Sequence, residues 1–196
     1  MNEQTMRLSA VVIPTTLAVV SVGGCEARNT MLEKIDAPDI VNFSRREGSP
    51  SFAGSLVGFG GATQPGAMAW LKDQGFATVI NLRLGSEQGV NLEEISEAAA
   101  AAGLNYIHLP FDSFDPGDVV VQFLAAAEDA ENAPIYVYCN SATRVGALWI
   151  IGRVLEDDRE LDAAIEEVDV IAGKPDDAIR FARAYIAAHG DQDGKH

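Results

Sequence analysis

Residues 137–149 read Val-Tyr-Cys-Asn-Ser-Ala-Thr-Arg-Val-Gly-Ala-Leu-Trp, and in this stretch Cys139 and Arg144 have the types and spacing that could do chemistry. An apolar strand would deliver the cysteine to a tight loop, and the arginine would open the helix that follows. The amides of Asn140, Ser141, Ala142 and Thr143, together with the helix N-terminus, then form an anion cradle. The same positive surroundings favour a thiolate over a thiol. A thiolate beneath a bound phosphate is placed for in-line attack, and the planar fork of Arg144 can grip two equatorial oxygens and take up transition-state charge. Thiolate, amides and guanidinium are what phosphoryl transfer through a cysteine requires. The competing reading is a structural cysteine ending a strand, with Arg144 in a surface ion pair, because cysteine is among the most buried residues. The order strand, cysteine, short loop, arginine, helix favours the anion site.

The elements that must position this loop alternate along the chain. Leu56–Phe59, Ala77–Leu82, Tyr106–Leu109 and Ile135–Tyr138 read as strands. Helical spacing is expected over Gln64–Gln74, Asn91–Ala102, Arg144–Leu155, Glu160–Ile171 and Asp176–Ala188, with Gly75 and Gly103 as stops. Asp115-Pro116-Gly117-Asp118 resembles a helix start, with Asp115 as N-cap and Pro116 in the first turn, and that helix is expected to run to about Asn132. Strands separated by helices of this length give an α/β fold: three layers, with a mostly parallel central sheet flanked by helices. Ligands of such sheets bind beyond the carboxyl ends of the strands, where Cys139 lies.

The cysteine loop resembles that of the dual-specificity-like cysteine phosphatases, and residues from about Ser55 to Leu155 resemble one bacterial branch, the beta-lactamase hydrolase-like protein phosphatase-like family. Gly61-Ala62-Thr63-Gln64-Pro65 is similar to that family's Gly-Gln-Pro entry to the first helix. Phe76 to Arg83, followed by Glu87, is similar to its Val-Ile-Asn-Leu-Arg strand and acidic turn. Tyr106-Ile107-His108-Leu109-Pro110 is similar to its next strand, and Cys139 to Arg144 takes the place of its Cys-x-x-Gly-x-Arg. The resemblance implies a cysteine-phosphatase-like fold, hydrolysis of a phosphate monoester through a phosphocysteine, and no cofactor. Three residues depart from the pattern. Tyr138 stands where a histidine usually precedes the cysteine, Ala142 replaces a glycine, and Val145 stands where Ser or Thr usually helps the thiolate leave. At Ala142 the loop must either turn without a positive φ or bear strain. Each departure points toward slow turnover.

Asp112 and Asp115 follow Pro110 at about the place where the resemblance puts the general acid. Asp115 has a competing task as N-cap, so Asp112 is the candidate. Arg83 supports the cradle or forms a surface ion pair, and His108 reads as a core or rim histidine. No cluster shows metal-ligand spacing, and no glycine-rich nucleotide loop is present. Two further readings stand beside the phosphatase. One is an envelope module that binds a phosphate or sulfate group in the same cradle without turnover. The other is a rhodanese-like sulfurtransferase, whose Cys-to-Arg spacing is similar but which would place a strand and a glycine pair near 160–171, where the spacing of Leu161, Ile165 and Val168 is helical.

The formal net charge is −15, with no basic block to oppose it. That argues against nucleic acid and against polybasic attachment to a membrane surface. A phosphorylated substrate must therefore be drawn in by a local site, and its identity is open. Leu8–Val22 is an apolar run too short to span a bilayer comfortably, and it ends in Val22-Gly23-Gly24-Cys25. This resembles a bacterial lipobox and implies lipidation at Cys25. Glu26 after the cysteine implies the outer membrane, facing the periplasm. The expected division is a signal peptide over 1–24, a tether and lead-in over 25–51, and the phosphatase-like domain over 52–190. The mature chain then has one thiol, Cys139, in an oxidising compartment. Either the loop shields it, or a thiol-reducing partner restores it, or oxidation regulates it.

Overall fold

The structure, a computed structural model, describes residues 32–46, 55–112, 118–172 and 175–190. Its strands are β1 (Glu33–Lys34), β2 (Ser44–Arg46), β3 (Val57–Gly60), β4 (Thr78–Asn81), β5 (Asn105–His108) and β6 (Ile135–Tyr138). Its helices are α1 (Ala67–Asp73), α2 (Leu92–Ala101), α3 (Val119–Glu128), α4 (Thr143–Leu155), α5 (Leu161–Ile171) and α6 (Pro175–His189). The sheet order is β1-β2-β3-β6-β4-β5. The last four strands in that order run parallel, while β1 and β2 add antiparallel at one edge. The fold is thus a mostly parallel sheet with helices on both faces, as the alternation of elements implies.

Period-two alternation sorts the strand side chains into two cores. Val57, Phe59, Ile80, Ile135 and Val137 face α3 to α6, and Cys139 continues that face beyond the end of β6. Val79, Tyr136 and Tyr138 face α1 and α2. Helix α4 is buried at every position from Val145 to Arg153, which explains its apolar sequence from Val145 to Gly152. Each large side chain fully buried there, such as Leu148 or Ile150, stabilises the fold by about 1.5–3 kcal/mol. A Cβ at Gly146 would lie 3.0 Å from both Val168 and Ala172, so glycine lets α5 approach α4 closely.

Helix ends follow local chemistry. Asn91 caps α2 by accepting from the Glu94 amide at 3.2 Å. Gly103, at φ +71°, follows its end. Helix α3 stops at Glu128 and not near Asn132, because Asn132 turns back and donates to the Ala126 carbonyl at 3.0 Å. The expected N-cap at Asp115 lies outside the described residues, as do Cys25 and the segment before it. The lead-in also differs from a plain tether. Over 32–46 it forms β1 and β2, buries Phe43 and Ile40 against α1 and Tyr136, and is part of the folded body. Its polar sequence concealed this because only alternate residues of β2 turn inward.

An ionic hub joins β2 to α4 and α5. Glu167 accepts from Arg46 at 2.9 Å, from Arg153 at 3.1 Å and from the Trp149 indole at 2.8 Å. Burial opposes its charge, but the hydrogen bonds from Arg153 and Arg46 outweigh that and hold the carboxyl below its usual range.

Candidate active site

The site begins where β6 ends. The Cys139 amide donates to the Gly60 carbonyl at 3.2 Å, which extends the ladder by one step. The Asn140 carbonyl accepts from the Ala62 amide at 2.7 Å, so the first two loop residues are tied to the segment after β3. A Cβ at Gly61 would come within 3.0 Å of that Asn140 oxygen and 2.9 Å of the Val41 oxygen, so this approach needs glycine. Ala142 is the N-cap of α4 with φ +65°, ψ +3°. The chain therefore accepts left-handed strain at an alanine, the second of the two alternatives the sequence left open. Ser141 and Thr143 are linked through their hydroxyls at 2.9 Å.

Among the described residues, no acceptor is bonded by the backbone amides of Asn140, Ser141, Ala142, Thr143 or Arg144. Successive unpaired amides flanking one left-handed residue at a helix N-terminus make an anion-binding concavity. Cys139 is a free thiol, 1% exposed, at the base of this loop.

Arg144 is held from behind. Its Nη1 donates to the carbonyls of Leu82 at 3.0 Å and Phe111 at 2.9 Å, and lies 2.7 Å from Glu87 Oε1. Burial works against the Arg144 charge, but the Glu87 carboxylate more than offsets it and the pKa rises. Glu87 is stabilised in turn. Burial pushes its carboxyl up, and hydrogen bonds from Arg144 and the Leu84 amide bring it below the usual range. Arg83 is buried, donates through Nε to Glu87 Oε2 at 3.2 Å and through Nη2 to the Gln88 carbonyl at 2.9 Å, and so fixes the turn that carries Glu87. Of the two roles the sequence offered for Arg83, support of the cradle is the one its burial fits.

His108 donates through Nε2 to the Arg83 carbonyl at 2.8 Å, as a rim histidine. Tyr138 faces the opposite layer of the sheet, where its ring stacks on Tyr136 at 5.8 Å. It therefore gives Cys139 no side-chain support. Val145 is buried and brings no hydroxyl to the loop.

Ser141, Thr143, Arg144 and Asp112 line one cleft of about 610 Å³ with Leu84, Phe111 and the α6 side chains Asp177, Arg180 and Phe181. The structure thus brings Asp112 to the mouth of the loop. Sequence reasoning gave Glu87 no task of its own, although its spacing of four from Arg83 was a signal. The contribution of α6 had no local signal. Among the described residues no group of three or more His, Cys, Asp or Glu side chains is placed to hold a metal.

A mostly parallel sheet that delivers a cysteine to an amide-lined loop, closed by an arginine at the next helix, defines a cysteine-phosphatase-like fold. Known structures agree on that fold. A DUF442 protein from Shewanella putrefaciens CN-32 is 19% identical, with a TM-score of 0.56 over 74% of this chain and 91% of that one. TpbA from P. aeruginosa is 19% identical, with a TM-score of 0.55 over 83% and 92%. The core catalytic domain of the PP-IP phosphatase Siw14 from S. cerevisiae is 15% identical, with a TM-score of 0.56 over 76% and 88%. The chain belongs to the family of the beta-lactamase hydrolase-like protein, phosphatase-like domain, which matches residues 57–156. No curated protein sequence matches it.

Proposed function

We propose that this phosphatase-like domain hydrolyses phosphate monoesters through a phosphocysteine. The supporting observation is the way Arg144 is presented. Two backbone carbonyls and the Glu87 carboxylate anchor its Nη1, which leaves the rest of the guanidinium for an anion held by the unpaired loop amides. In this reading Cys139 Sγ attacks phosphorus as the ester P–O bond breaks. Arg144 and the amides of residues 140–144 hold the equatorial oxygens as their charge grows. Asp112 donates its proton to the leaving oxygen, giving an alcohol. A water then attacks the phosphocysteine, losing a proton to Asp112, and inorganic phosphate leaves with the thiolate restored.

The buried Val145 supports a second reading. Without a hydroxyl beside Cys139 the phosphocysteine breaks down slowly, and a cradle with little turnover serves as an anion-binding module. The helix at α5, together with the family match, leaves the sulfurtransferase reading without support.

The test compares the purified protein, kept reduced, with Cys139→Ser and Arg144→Ala on a generic aryl phosphate, with vanadate as inhibitor. Vanadate-sensitive turnover lost in both variants supports the enzyme. Vanadate binding that needs Arg144, without turnover in the parent, supports the binding module and sinks the hydrolase.

The cellular setting is also part of the proposal. Lipidation at Cys25 would hold the domain on the periplasmic side of the outer membrane, and a thiol-reducing partner would keep Cys139 active there. Labelled fatty acid should enter the protein and fail to enter Cys25→Ala; incorporation in both would end this placement.

A further inference from the structure

The cleft beside Arg144 is far larger than a phosphate group needs, and its volume of about 610 Å³ lies in the range that holds a whole small ligand. The wall opposite the loop comes from α6, which lies outside the residues that match the family. Its central feature is Phe181. This ring meets Phe111 edge-to-face, with centroids 5.1 Å apart at 66°. Phe111 is itself buried, so Phe181 is held from behind. Tyr185 stacks on Phe181 at 6.3 Å and His189 on Tyr185 at 4.1 Å, so a row of rings runs from the cleft along the helix. Beyond Arg144 and Asp112, the charges of the lining are paired with each other. Leu84, Ala147 and Ala178 are apolar, and Arg180 hydrogen bonds Asp177 within α6.

We propose that Phe181 is a specificity-determining residue: it forms the platform on which the leaving group lies, and it favours monoesters that carry a planar ring over those of small alkyl alcohols. This rests on the hydrolase reading above. A ring in the cleft gains an aromatic partner already fixed by Phe111, so little freedom is lost on stacking. Asp112 is the next residue after Phe111, so the support of the platform and the proton donor are adjacent residues of the segment after β5.

The experiment measures kcat/KM for p-nitrophenyl phosphate and for glycerol 2-phosphate with the parent protein, Phe181→Ala and Phe181→Leu. The vanadate inhibition constant is recorded for each as a check on the loop. Phe181→Ala should lower the aryl value about tenfold, and the alkyl value and vanadate affinity far less. Phe181→Leu, which keeps apolar bulk, should fall between. An equal loss on both substrates, or no loss on either, overturns the proposal. Should the parent turn over neither ester, the hydrolase reading fails by itself. The platform is then tested by binding of phenylphosphonate against methylphosphonate: a ring advantage lost in Phe181→Ala supports it, and no ring advantage in the parent overturns it.

Discussion

The Glu87 carboxylate lies 2.7 Å from Arg144 Nη1, and the same group takes the Leu84 amide and Arg83 Nε. The arginine of the cradle is therefore aimed by a turn from another part of the chain. Glu87→Gln keeps the shape but loses the charge-assisted bond. We expect kcat/KM on an aryl phosphate to fall about tenfold or more, because small misplacements of a clamp are costly. Vanadate affinity should weaken in parallel. An unchanged vanadate affinity would show that the two backbone carbonyls alone can hold Arg144.

Asp112 lines the cleft beside Arg144, and its proposed task is to protonate the leaving oxygen. That task matters most for poor leaving groups. Asp112→Asn should lower kcat about a hundredfold with an alkyl phosphate and much less with p-nitrophenyl phosphate, whose anion leaves unaided. Equal losses on the two esters would assign Asp112 to loop structure instead.

The left-handed Ala142 predicts an unusual tolerance. Glycine there relieves about 1–2 kcal/mol of backbone strain, offset by about 0.5–1 kcal/mol of chain entropy and about 0.8 kcal/mol for a lost buried methyl. Ala142→Gly should thus leave the urea midpoint nearly unchanged and retain vanadate binding. A β-branched residue suits neither the φ of +65° nor the buried site. Ala142→Val should destabilise by about 2 kcal/mol or more. A Val variant as stable as the parent would mean the loop can adopt another turn.

Glu167 predicts a particular acid limb. Its folded pKa lies below the usual carboxylate value of 4.5. The stability it contributes is therefore present above pH 4.5 and is lost as pH falls through the lower, folded value. Glu167→Gln leaves Arg46 and Arg153 without their shared carboxylate, at a cost of about 3 kcal/mol near neutral pH. Denaturation midpoints followed from pH 7 to pH 3 should show a shallower decline in the variant than in the parent. Parallel curves would rule out Glu167 as a main acid-sensitive group.

The sequence was most legible where local rules decide. Ile135–Tyr138 reads as a buried strand from its short run of apolar and aromatic residues, and α4 as a helix from its apolar run after a polar loop. Cys139 and Arg144 could be paired because they lie on one short segment. Glu87 was less legible, since its bond to Arg144 closes across a long stretch of chain and depends on which strands are neighbours in the sheet. The same holds for Phe181: the spacing of α6 shows an apolar face, but not that this face borders the cysteine loop. The hairpin over 33–46 was hidden for a different reason. Its strands are two and three residues long, too short to reveal a period, and its inward positions include Ser44 and Arg46.

That hairpin has a mechanical consequence. A pull applied ahead of Leu32 enters the fold through β1, a two-residue edge strand with both side chains exposed, which should unzip readily. The load then reaches Arg46, whose guanidinium is held by Glu167 on α5 and lies over the Trp149 ring on α4. A strand near the start of the chain is thereby fastened to helices near its end, with the cysteine loop between them. The fold can lose its outermost strand to tension without loosening the site, whereas tearing out β2 would strip Arg46 from Glu167 and from the Trp149 ring on the helix that carries Arg144.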